Sequence, residues 1–71
     1  SMTPKQRRSL KVGDLLIPRA EGLPVIIMGE RDSNKLDYGR KAGKRKAYLI
    51  HDNGREYWMA DIEVQIKYRK P

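Results

Sequence analysis

The chain has no cysteine, no phenylalanine, a single histidine, a single tryptophan and no long apolar run. Without cysteine there is no disulfide framework and no thiolate metal site, which suits a reducing cytoplasm. One imidazole, His51, does not make a zinc site alone, so no metal is expected, and no small-molecule cofactor. The longest apolar run, Val25 to Met28, falls far below the roughly 20 residues that cross a bilayer. No signal-peptide core follows the start, and Ser1-Met2 reads as a cleavage scar ahead of an initiator methionine. A soluble protein with no membrane partner is expected.

Catalytic patterns are equally scarce. Carboxylates stand singly, so neither an acid/base pair nor a cation cluster is in view. His51 and Asp52 are neighbours in a predicted strand and point to opposite faces, which excludes a dyad. Gly39, Gly43 and Lys44 lack the spacing and the following hydroxyl of a phosphate-binding loop. The expectation is a protein without catalytic residues, not an enzyme.

What remains is one small, basic domain. Seventy-one residues hold a single compact core, and 38% hydrophobic against 35% charged residues is polar for a globular domain, yet sufficient to fold. The net charge of +7 is concentrated. One block is an N-terminal arm, residues 1–9, with Lys5, Arg7 and Arg8, followed closely by Lys11. The other is Lys35, Arg40, Lys41, Lys44, Arg45 and Lys46, interrupted by Asp37 alone. Such blocks attract phosphates or acidic protein surfaces through a field that salt screens.

Apolar periodicity favours strands throughout. A first strand is predicted over Lys11 to Arg19, interrupted by Gly13-Asp14 and ended by Pro18. A second covers Leu23 to Met28, with Gly29 permitting a sharp bend. Asp32 to Lys46, rich in charge and glycine, reads as a long exposed loop. Asn53-Gly54 between Arg45–Asp52 and Arg55–Ala60 is a strong hairpin signal, because both residues accept the positive φ of a type I′ turn. Counting outward sets Asp52 against Arg55, His51 against Glu56, Ile50 against Tyr57, Leu49 against Trp58, Tyr48 against Met59 and Ala47 against Ala60. The face bearing Tyr48, Ile50, Tyr57 and Met59 is the predicted core, which leaves Trp58 outward beside Leu49 and His51. After a brief link at Asp61-Ile62, a last strand is predicted with Ile62, Val64, Ile66 and Tyr68 inward. Five short strands favour a barrel, since closure removes exposed edges.

Three stretches carry a resemblance: Lys11-Val-Gly-Asp-Leu-Leu16, Ala47-Tyr-Leu-Ile-His-Asp-Asn-Gly54 with Arg55-Glu-Tyr-Trp-Met59, and Asp61-Ile-Glu-Val64. Their layout over roughly residues 10 to 67 resembles the SH3-like small β-barrel superfamily, meaning Tudor, KOW and related modules, including small barrels encoded by tailed phages. The resemblance implies an all-β, five-stranded, strongly bent antiparallel barrel over 10–68, with a long basic loop between strands 2 and 3 and a tail at 69–71. It also implies a binding role, in the host cytoplasm if the chain is phage-encoded. The Pro18 to Pro24 segment has no aromatic, unlike Tudor modules that cage methylated side chains.

The leading expectation is a nucleic-acid-binding module. Lys35, Arg40, Lys41, Lys44, Arg45, Lys46, Arg7 and Arg8 would meet phosphates, while Trp58, beside His51, would offer a stacking surface. The same residues would serve an acidic protein partner, and a homo-oligomer that buries the Trp58 face is a third reading.

Overall fold

The computed structural model describes residues 10–33 and 45–71. Five antiparallel strands form one strongly curled half-barrel sheet in the order β4-β3-β2-β1-β5. They are β1 (Leu15–Pro18), β2 (Val25–Ser33), β3 (Arg45–Asp52), β4 (Arg55–Ala60) and β5 (Tyr68–Arg69), with one helix, α1 (Asp61–Lys67), before the last strand. The all-β class and the bent antiparallel sheet are as expected.

The hairpin sets the register. Asn53 and Gly54 have φ of 49° and 83°, and all six predicted β3–β4 pairs are present, from Asp52 opposite Arg55 to Ala47 opposite Ala60. Inside the curl, Leu16, Val25, Ile27, Ile50 and Val64 are nearly inaccessible, joined by Tyr48, Met59 and Tyr68, with Tyr57 packed against them. The core face of the hairpin is therefore the predicted one. The β2–β3 register slips between Ile27 and Gly29, so Met28 is the extra residue of a bulge and the bend falls where Gly29 marks it.

Three expectations are corrected. The first strand is shorter, because Lys11 to Asp14 make a turn: Gly13 has φ 96°, and the Asp14 carboxylate accepts the Lys11 N–H at 3.1 Å. Asp32, Ser33, Arg45 and Lys46, expected in the loop, are in strands, since Asp32 pairs with Lys46 and Ser33 with Arg45 as the ladder runs on past the core. The remainder of that loop, and the arm 1–9, lie outside the described residues.

The largest correction is the last strand. Residues 61–67 are helical, so Val64 and Tyr68 are buried, while Ile62 and Ile66, expected inward, are 45% and 67% exposed. The reason is the path of the chain. β4 is one edge of the sheet and β5 lies at the other, beside β1, so the connection crosses the open side of the curl, where no strand offers a ladder. A helix satisfies its own backbone there and sends Val64 into the core. Asp61 and Glu63 in the first turn, Lys67 in the last, and the Glu63–Lys67 pair at 3.5 Å suit the helix dipole. Arg69, assigned to a tail, pairs with Ile17 in β5, and Lys70 reaches Asp14 at 3.3 Å.

Candidate functional site

The outer, convex face of the sheet carries the candidate site. A register row runs across it from Gly29 on β2 through Leu49 on β3 to Trp58 on β4. A Cβ added at Gly29 would stand 3.4 Å from Leu49 Cβ and 3.7 Å from Trp58 Cη2. The indole therefore lies back across β3, with its far edge in the space that the absent Gly29 side chain leaves. Over the ring sits the Arg31 guanidinium, 4.1 Å from its centroid, a cation–π contact. Trp58 nonetheless keeps 41% of its surface exposed.

The same face continues toward β1. Leu15, Ile26 and His51 follow one another in register, with Glu56 beyond them, and Met28 emerges at the bulge. Leu15, Ile26 and Met28 are all substantially exposed, so an apolar strip leads away from the Arg31–Trp58 pair.

Of the basic residues expected at the site, Arg45 and Lys46 are described, and the strand separates them. Arg45 has the parity of Ala47 and Leu49 and so belongs to the Trp58 face. Lys46 points to the other side, where its ammonium meets Glu30 at 3.2 Å. The Glu30 hydrogen bond and charge hold the Lys46 pKa above its ordinary value. Trp58, His51 and Arg45 thus share a face and Lys46 does not. Lys35, Arg40, Lys41, Lys44, Arg7 and Arg8 lie outside the described residues. Arg31 was not anticipated. The signal for it was present, since counting two residues on from Gly29 along a longer β2 places Arg31 on the outer face.

A second feature is a cleft of about 410 Å³ between the β1–β2 connection and the end of α1, lined in part by Pro18, Leu23, Val25, Asp52, Ile66 and Tyr68. Beside it, Tyr57 Oη donates to Asp52 Oδ2 at 3.1 Å and accepts from Tyr68 Oη at 3.3 Å. The Tyr68 bond, burial and the Asp52 bond push the Tyr57 phenol well above its ordinary pKa. Of the expected site residues that are described, none lines this cleft. Among the described residues no group of three metal-ligating side chains converges, and no helix is long and apolar enough to cross a membrane. Comparison with protein-family models, with curated proteins and with solved structures finds no match to this chain.

Proposed function

We propose that the chain is a non-enzymatic module that binds single-stranded nucleic acid on the outer face of its curled sheet. The observation that carries this reading is the Arg31–Trp58 pair: a part-exposed indole with a guanidinium over its ring, on the face that also bears Arg45. An indole offers a base a stacking surface, and an arginine beside it meets the adjoining phosphate. β2 ends at Ser33 and β3 begins at Arg45, both at the Arg31 end of this face, and the sequence between them carries Lys35, Arg40, Lys41 and Lys44. Single strands fit best because stacking requires a base free of its own neighbours.

A protein partner is the second reading, favoured by exposed Leu15, Ile26 and Met28, which phosphates and bases do not need. Titrating a labelled oligonucleotide at several salt concentrations separates the two. Nucleic-acid binding requires affinity that falls steeply with salt, and Trp58→Ala should lose about 1 to 3 kcal/mol of it. Trp58 is the only tryptophan, so quenching of intrinsic emission reports the contact directly. Salt-independent affinity, or affinity unchanged in Trp58→Ala, refutes the reading.

A further inference from the structure

Among the described residues the outer edge of β4 has no partner, and its chemistry points to a second copy of this chain. β4 pairs with β3 alone and ends the sheet. In a hairpin closed by two residues, Asp52 and Arg55 exchange the first ladder bonds, so Arg55, Tyr57 and Met59 turn their backbone groups toward β3. Glu56, Trp58 and Ala60 then present N–H and C=O outward. Exposed edges are usually blunted by lysine, proline or a bulge. β4 has none of these: it is six residues long and regular, and its charges are confined to Arg55 and Glu56 at the turn end. Its largest side chain does not cover the edge either, because the Trp58 indole folds back toward Gly29.

We propose that two chains pair antiparallel through their β4 edges, about a two-fold axis at Trp58. Only outward-facing residues can exchange bonds, which leaves few registers. Placing Glu56 against its mate opposes like charges. Centring on Tyr57 draws Gly54 of the turn against Ala60 and leaves Arg55 facing Met59. Centring on Trp58 pairs Trp58 with its mate and Glu56 with Ala60 on both sides, and it brings Arg55 to the start of the other copy's α1, at Asp61, twice. Arg55 and Asp61 are of opposite charge, so the symmetric contact is complementary to itself. The whole chain carries +7, but Arg55, Glu56 and Asp61 along this edge sum to −1, so the positive charge lies elsewhere on the chain. The pair would join two outer faces into one continuous sheet surface. This inference does not rest on the nucleic-acid reading.

The test is light scattering or sedimentation of nuclease-treated protein across concentration and salt. A concentration-dependent dimer is expected, and it should tighten as salt rises, since salt screens the repulsion between two cationic bodies. A nucleic-acid bridge would weaken instead, so the two causes of association are distinguishable. Ala60→Pro is the direct probe. Ala60 has φ −64° and ψ 149°, which proline adopts without strain, and its N–H points away from β3. The variant should melt like the parent or slightly higher and run as a monomer. Arg55→Glu should weaken the dimer about tenfold, because it brings two carboxylates together on both sides of the axis. A parent chain that stays monomeric at millimolar concentration and high salt overturns the proposal, as does a dimer that survives both substitutions. If Ala60→Pro unfolds the chain, Arg55→Glu decides: an unchanged dimer then overturns the proposal on its own.

Discussion

Gly29 separates the seat of Trp58 from the stability of the domain. Its φ lies outside the left-handed region and the atoms nearest its Cβ position belong to Leu49 and Trp58, so alanine fits, with its methyl 3.4 Å from Leu49 Cβ. Removing glycine from a strand interior is worth about 0.5 to 1 kcal/mol in backbone entropy, so Gly29→Ala should hold or raise the melting temperature. Gly29→Val adds two methyl carbons about 1.5 Å beyond that Cβ, into space the indole edge occupies at 3.7 Å. The ring must leave. It then loses the Arg31 contact, roughly 0.5 to 1 kcal/mol at an exposed site, which is offset by the entropy gain and by the strand preference of valine. The net change in stability should be within about 1 kcal/mol of zero, while the indole becomes markedly more accessible. The assay pairs thermal unfolding by far-UV circular dichroism with acrylamide quenching and near-UV dichroism of the sole tryptophan. Valine should leave melting nearly unchanged, raise quenching, flatten the near-UV signal and weaken oligonucleotide binding. A Gly29→Val protein with parental quenching and near-UV signal would show that the indole does not lie against Gly29, and the described site would be wrong.

The remaining predictions probe the turn, the core and the tyrosine cluster. Asn53→Ala with Gly54→Val should cost about 1 to 3 kcal/mol in thermal or urea unfolding, a conformational cost, since among the described residues no atom lies within 4 Å of a Cβ at Gly54. Met59→Ala empties a buried site and should cost about 2 to 5 kcal/mol, enough to unfold much of so small a domain. Trp58→Ala should stay folded by circular dichroism, and the reverse outcome would invert the two faces of the hairpin. Tyr57→Phe should cost about 1 kcal/mol by removing the bonds to Asp52 and Tyr68. The phenols of Tyr57 and Tyr48 are both raised above 10.0 in the folded chain, the first chiefly by the Tyr68 bond, the second by burial. Their contribution is therefore complete below pH 10 and is lost as pH climbs beyond it, because the unfolded chain ionises first. Unfolding followed against pH should show that decline, and Tyr57→Phe should make it shallower.

The parts of the fold legible from sequence are those in which a local constraint and the core agree. Asn53-Gly54 admits one tight turn, that turn admits one register, and the register then sorts the side chains of six cross-strand pairs into faces without further information. Gly29 was legible as a bend for a similar reason, since a bulge there costs no side-chain packing on the inner face. Residues 62–68 were not legible. Ile62, Val64, Ile66 and Tyr68 alternate as a strand would, and seven residues are too few for helical period to outvote it. What decides the matter is non-local: the segment crosses the open side of the curl, where a strand would leave its backbone unpaired.

The candidate site divides in the same way. Trp58 was readable as outward because its neighbours in register are known once the turn is known. Arg31 is readable only once β2 is carried past Met28, and nothing local signals that extension, because Glu30 to Ser33 pair with β3 beyond the core, where no apolar alternation marks a strand. There the ladder is carried by backbone bonds and by pairs such as Glu30 with Lys46, so charge, read as the sign of a loop, instead decorates a sheet. That reversal changes the meaning of the basic residues. Arg31 and Arg45 are placed on the outer face by strand geometry, Arg31 against the Trp58 ring, while Lys46 is directed away to an acid of its own. A fixed arginine beside a seated indole is a preorganised contact, and preorganisation more than total charge converts a cationic surface into a site.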